Sequence, residues 1–410
     1  MCRKRSLNLG SIWKVVLRDK LRREHSAAPV FCIQGGGARG AWEAGVLAGL
    51  LKSGKITTPC AIWGTSAGAL NALWSRDPSV QKEPLKLLDY WTTMASRFIC
   101  LGILLISCIL MIVWCIFYVF HLSLIIIFAV VIFLFSLISI LCLLCLCKIL
   151  KRLPGILPSS FVRLIIPRPK GIAPGWFVYT CVANVDSQSW PEQWEDTNDG
   201  WFFLKNDSSA CSSENLHTGE MVDAFDVAVA SASIPGLVRP TRLSGMTLLD
   251  GGLVANLPAG FILTNGATGG AYVLCIVPRA VEDLSHSDPI DRRTLDFLVH
   301  LKDEQEKHRS SSNDGSHNTG PAHALIPIFI ISPKKKLKSG LCKFWCPLLR
   351  REFKQGNEEA IMFSNALKKF AAGNMSLMQE YLLENVMRSC EAPTGVSRKP
   401  LWLKWVNTRW

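Results

Sequence analysis

Residues 99–147 contain no Asp, Glu, Lys or Arg, and apart from Tyr and Cys side chains His121 is their only titratable group. A helix rises about 1.5 Å per residue and crosses roughly 30 Å of hydrocarbon in about 20 residues. A run of 49 residues is too long for one crossing and suits two. No core helix of a globular protein needs such a length, so the run is read as an α-helical transmembrane hairpin. Its turn is expected near His121, after Trp114, Tyr118 and Phe120, although no Gly or Pro marks the place. Arg97 stands before the run, and Lys148, Lys151 and Arg152 stand after it. Positive charge at both ends places both ends on the cytoplasmic side. A hairpin that re-enters without reaching the far side satisfies the same ends.

The net charge of +13 therefore lies outside the run. Much of it is in "MCRKRSLNLGSIWKVVLRDKLRREH", which lacks the apolar core and cleavage site of a secretory signal. Leu7, Ile12, Val16 and Leu21 can share one helical face beside Arg and Lys, which suits an anionic membrane surface. A disordered basic tail accounts for the same residues. Nucleic acid is not expected as a partner, because basic residues flanking an apolar span have a simpler use. "PKKKLKSGLCKFWCPLLRR" and "RKPLWLKWVNTRW" mix Lys, Arg and Trp as interfacial segments do, and as solvated basic surfaces also do. Of the 15 cysteines, six lie in the apolar run as small hydrophobes, and the odd total argues against a fully paired secreted scaffold. A reducing, cytoplasmic setting follows.

The remaining chain alternates short apolar strands with helices. "PVFCIQ" and "PCAIWG" each run into a glycine turn and a small-residue helix, and a polar helix is expected around residues 85–94. "WFVYTCVANV", "AYVLCIV" and "HALIPIFIISP" read as strands buried on both faces. Residues 303–322 form a polar loop, and the C-terminal part is helical to about Arg388. This pattern predicts an α/β sandwich with a mostly parallel sheet. The expected divisions are a leader at 1–28, a catalytic domain at 29–98 and 148–390, the inserted hairpin at 99–147, and a tail at 391–410.

Two glycine turns carry chemistry. Gly64-Thr65-Ser66-Ala67-Gly68 is a G-x-S-x-G elbow between a strand and a helix. Small flanking residues are needed because side chains there would strike the strand or helix, and the serine hydroxyl is left at a helix N-terminus. Gly35, Gly37 and Gly40 satisfy the spacing of a dinucleotide loop, but that loop needs an acid about 20 residues on. Between Gly40 and Ser66 the only acid is Glu43, in the first helical turn. The N–H groups of Gly36 and Gly37 are expected instead to face an oxyanion formed at Ser66. The histidines are poorly placed to serve as base, whereas Asp250 ends an apolar strand at the Gly251-Gly252 turn. An Asp-Gly-Gly alone is usually only a turn, and Arg39 alone is an ordinary arginine at a helix start. Asn256 and Pro258 are expected to shape the turn that follows Asp250.

Together "GGGARGAWEAGVLAGL", "GTSAGALNAL" and "DGGLVANLP", with "ASASIPGLVRP" before the last, resemble the patatin-like phospholipase family from Val30 to about Val277. The resemblance implies a three-layer α/β/α sandwich and lipid acyl hydrolysis by a Ser–Asp dyad, without histidine, metal or cofactor. By position Ser66 is the nucleophile and Asp250 the base. Gly35, Gly36 and Gly37 form the oxyanion loop steadied by Arg39, and Gly64, Gly68, Gly251 and Gly252 support the elbow and turn. Ser231 to Pro235 match a loop near the site and receive no chemical role. The long apolar insertion departs from the family's soluble members. The expected protein is a membrane-anchored hydrolase of glycerophospholipids or related acyl lipids, with both termini and the catalytic domain cytoplasmic. An acyltransferase working through the same acyl-enzyme, or a non-catalytic scaffold that keeps the fold, remains as an alternative.

Overall fold

The computed structural model describes residues 28–54, 58–120, 157–186, 201–204, 212–216, 218–258, 272–279, 328–340 and 343–371. The basic leader up to residue 27 lies outside these residues. So do the second half of the apolar run, the 303–322 loop and the C-terminal tail.

Five parallel strands form the centre: β1 (Val30–Ile33), β2 (Ala61–Thr65), β3 (Phe177–Asn184), β9 (Val273–Ile276) and β10 (Ile328–Ile331). They lie in the order β10-β9-β1-β2-β3. Both faces of this sheet are buried, which is why its strands read as unbroken apolar runs. One face carries Phe31, Ile33, Ile62, Leu274 and Ile276, under helices. The other carries Val30, Cys32, Trp63, Tyr179 and Cys275, with the rings of Trp63 and Tyr179 stacked at 4.0 Å.

The helix α1 (Gly40–Lys52) follows β1, and α2 (Ala67–Trp74) follows β2. Against α1 lies a late helix, α7 (Cys346–Ala371). Their backbones meet directly. A Cβ on Gly45 would overlap the Phe353 carbonyl, and one on Gly356 would overlap the carbonyl of Trp42. Glycine at these positions is what permits so close a crossing.

An antiparallel wing extends the sheet. The strands β4 (Trp201–Leu204), β5 (Ser212–Asn215) and β6 (Met221–Asp223) continue outward from β3, and the sequence reading places no strands there. β7 (Thr241–Leu243) pairs with β8 (Met246–Asp250), and β8 runs antiparallel to the end of β3. A short helix, α6 (Ala224–Ser231), packs Val227 and Ala230 against Val182 and Leu248 of these strands.

Among the described residues, three α-helices lie between α2 and β3: α3 (Pro78–Lys82), α4 (Leu87–Phe120) and α5 (Ser159–Ile165). The sequence reading separates a polar helix near 85–94 from the apolar run at 99. The structure joins them in the single helix α4. No Gly or Pro lies between Leu87 and Leu101 to end a helix, so the change in composition is a change of surroundings and not of conformation. Leu87, Trp91, Met94 and Ala95 are buried in the domain core, whereas the side chains described from Phe98 to Trp114 are largely exposed.

Candidate active site

Ser66 sits at the hinge between β2 and α2 with φ +54° and ψ −121°, a conformation that costs an L-residue strain and persists only where its surroundings enforce it. Space enforces it here. A Cβ on Gly64 would lie 2.5 Å from the Gly68 carbonyl oxygen, and a Cβ on Gly68 would lie 2.5 Å from that of Ile33. The backbone N–H of Ser66 donates to Ser231 Oγ at 2.8 Å, and Ser231 Oγ in turn donates to the Cys181 carbonyl at 2.6 Å. The Ser66 carbonyl accepts from the N–H groups of Ala69 and Leu70, so the turn is bonded on both sides.

β3 brings Asp250 to this turn. On β2, Thr65 pairs with Cys181; on β8, Asp250 pairs with the next residue, Val182. Because β2 and β8 approach β3's end from opposite directions, their chains finish one step apart. Ser66 Oγ donates to Asp250 Oδ2 at 2.8 Å. The other carboxylate oxygen, Oδ1, accepts from the Gly252 N–H at 2.7 Å. A Cβ on Gly251 would overlap the Cys181 carbonyl, so the turn can close only with glycine there. Burial pushes the Asp250 carboxyl up to about 6, and the Gly252 and Ser66 hydrogen bonds pull in the opposite direction. Asp250 is therefore a carboxylate at neutral pH and a stronger base than an exposed aspartate.

The glycine loop passes over the same point. Gly35 lies close beneath it: a Cβ there would stand 2.9 Å from Ser66 Cβ and 2.6 Å from Asn256 Oδ1. The Gly35 N–H donates to the Asn256 carbonyl at 3.1 Å, so Gly35 offers proximity and not a free donor. Gly37 takes φ +57°, which glycine adopts without penalty, and opens a short 3-10 turn at Gly37–Arg39. The Arg39 N–H closes that turn on the Gly36 carbonyl at 3.2 Å. Ser66, Asp250 and the glycine loop, separated by up to 215 positions, thus meet in one place. All eight histidines lie outside the described residues.

Two residues have structural parts that sequence reasoning did not give them. Ser231, within "ASASIPGLVRP", holds the Ser66 backbone. Asn256 does more than shape its own turn, since its carbonyl ties the glycine loop to the segment after Asp250. Only long-range register reveals either contact.

The chain is similar to the crystal structure of VipD from Legionella pneumophila, with a TM-score of 0.33 at 13% identity, over 84% of this chain and 67% of that one. No curated protein matches it in sequence. The family model for patatin-like phospholipases matches residues 31–121 and 149–263. The match continues through the first part of the apolar run, as α4 does, and its gap falls within the second. These two segments make up half of the sequence and contain the glycine loop, the serine elbow and the Asp250 turn, and on that match the chain belongs to the patatin-like phospholipase family.

Proposed function

We propose that this protein is a membrane-associated serine hydrolase that cleaves acyl esters of glycerophospholipids or related lipids, with Ser66 as nucleophile and Asp250 as its base. The observation that carries the reading is the 2.8 Å hydrogen bond from Ser66 Oγ to Asp250 Oδ2 at a strained turn beneath the glycine loop. Family membership supplies the substrate class, an acyl lipid.

The chemistry follows from that geometry. Ser66 Oγ attacks the ester carbonyl carbon while its proton passes to Asp250 Oδ2. The carbonyl oxygen becomes an oxyanion that accepts hydrogen bonds from the N–H groups of Gly36 and Gly37, beside the N-terminus of α2. Collapse breaks the bond to the leaving alkoxide, which takes the proton from Asp250. Water then attacks the acyl-enzyme, gives its proton to Asp250 and releases a fatty acid as Ser66 Oγ regains its proton. The Gly252 N–H holds the carboxylate in the orientation that serves both steps.

Membrane association rests on α4. Residues Pro84–Trp114 include an 18-residue window of mean hydropathy 2.5, none of it buried. Trp114 is 71% exposed. Each large apolar side chain left in water forgoes about 1.5–3 kcal/mol of burial, a deficit that a bilayer removes. Where α4 leaves the core, Phe344 packs against Phe98 at 5.5 Å, next to Trp345, which is 62% exposed, and an exposed Lys343. On another side Arg97 donates to the carbonyl of Leu164, a side chain 70% exposed. Aromatic, cationic and apolar groups around an apolar helix suit the headgroup level. We place the rest of the apolar run as a return segment, with both chain ends cytoplasmic.

The test is incubation of the purified full-length protein with mixed lipid vesicles, with products followed by mass. Release of fatty acid by the parent, and its absence in Ser66→Ala and Asp250→Asn, is expected. Equal release from all three proteins overturns the reading.

A further inference from the structure

A buried polar chain runs from the apolar helix to the underside of the glycine loop. Trp91, on the core-embedded first turns of α4, donates its indole N–H to Asn71 Oδ1 at 2.8 Å. Asn71 lies on α2, the helix that begins at the serine elbow, and its Nδ2 donates to the Gly40 carbonyl at 2.9 Å and to Glu43 Oε2 at 3.2 Å. Gly40 directly follows the Gly37–Arg39 turn, and Glu43 is in the first turn of α1. All three side chains are buried.

Packing joins the same parts. A Cβ on Gly40 would lie 2.5 Å from the Trp91 ring and 2.7 Å from the Ala67 Cβ, next to Ser66. Trp91, the end of the glycine loop and the start of the nucleophile helix therefore meet at one point, with no slack between them. The second carboxyl oxygen, Glu43 Oε1, is buried without a hydrogen-bond partner among the described residues, 3.0 Å from the place a Cβ on Gly36 would occupy. Burial holds this carboxyl well above the usual carboxylate range, against the Asn71 hydrogen bond and the Arg39 charge. One carboxyl oxygen is bonded to Asn71, and the other is set against the loop.

We propose that Trp91, Asn71 and Glu43 are positioning residues that hold the Gly36–Gly37 segment in register with Ser66, so that the helix read as the membrane anchor is also the support of the oxyanion loop. These three residues act through the loop and not on the substrate. Trp91 fixes Asn71, Asn71 fixes Gly40 and Glu43, and Glu43 backs Gly36. Because α4 is continuous from Trp91 into its apolar stretch, the anchor is joined to the loop by a single rigid element. The inference rests on the reading of Ser66 and the glycine loop as the catalytic centre.

The experiment measures the rate at which a fluorophosphonate labels Ser66 in the full-length protein in detergent, with turnover of a short-chain ester alongside. Trp91→Phe removes the indole donor, and Glu43→Leu removes both polar ends of the carboxyl at similar volume. Each is expected to lower the labelling rate and kcat by about tenfold or more, with KM little changed, since a displaced oxyanion donor weakens only the transition state. Glu43→Gln, which keeps an acceptor for Asn71 and a donor toward the loop, should restore most of what Glu43→Leu loses. Parent-like rates in both Trp91→Phe and Glu43→Leu overturn the proposal, as does an equal loss in Glu43→Gln and Glu43→Leu. Failure of the parent itself to be labelled at Ser66 is a different result, and it removes the catalytic reading on which this one stands.

Discussion

Ser231 Oγ lies 2.8 Å from the backbone nitrogen of Ser66 and accepts its N–H, while donating its own proton to the Cys181 carbonyl. One hydroxyl thereby ties the end of α6 to the strained turn after β2 and to the strand β3 that carries both flanks of the site. Ser231→Ala leaves a buried N–H without a partner, at a cost of about 1–3 kcal/mol. The variant should unfold at a lower temperature by calorimetry. It should also turn over a short-chain ester more slowly, with the change in kcat and not in KM. A parent-like midpoint and kcat would remove Ser231 from the support of the elbow.

The pH dependence of turnover follows from Asp250, whose carboxyl burial raises to about 6. Only the carboxylate can take the serine proton. On a soluble ester kcat/KM should therefore fall about tenfold per pH unit below 6 and level off above it. An acid limb centred near 4 instead would mean that Asp250 has the pKa of an exposed aspartate.

The same shift sets a stability prediction of opposite sense. The folded-state pKa of Asp250 lies above its unfolded value, so the native state binds the proton more tightly than the unfolded chain does. Stability from this group is full below about pH 4 and is lost as pH rises through about 6. Asn carries no charge at any pH. At pH 8 Asp250→Asn should be inactive yet more stable than the parent by about 1–3 kcal/mol, and the gain should vanish near pH 4. Denaturant unfolding at the two pH values measures this. Destabilisation at pH 8 would show that the carboxylate's hydrogen bonds outweigh its burial.

For the apolar helix, Ala95 is the last buried residue of α4 among those described, and the exposed apolar stretch begins at Phe98. Replacing the residues between Arg97 and Lys148 by a short Gly/Ser linker keeps Trp91 and the core turns. The shortened protein should still hydrolyse a soluble ester through Ser66, and it should lose rate on vesicles because it no longer holds its site at the interface. A folded but inactive product would show that the apolar run forms part of the site itself.

How far the sequence reveals the site depends on how local each signal is. The serine elbow, the glycine loop and the Asp250 turn are each a strand ending in a tight turn, written in consecutive residues, and all three could be read directly. Ser231 and Asn256 could not, since their roles come from hydrogen bonds to residues 165 and 221 positions away. In the sequence Glu43 is only an acid on the wrong element to bind a ribose; its place beneath the loop needs the packing of α1 against α2. The boundary placed at residue 99 followed a shift in composition, but a helix ends where its hydrogen bonds end, and nothing at that point interrupts them. The antiparallel wing went unread because strands as short and polar as β5 leave no periodic pattern.

The central claim is that Ser66 is the nucleophile activated by this geometry. Treating the full-length protein with a fluorophosphonate, then digesting it and locating the added mass, tests that claim most directly. The account predicts a single adduct on the peptide containing Ser66, absent from Ser66→Ala and strongly slowed in Asp250→Asn. An adduct on another residue that persists in Ser66→Ala would contradict it.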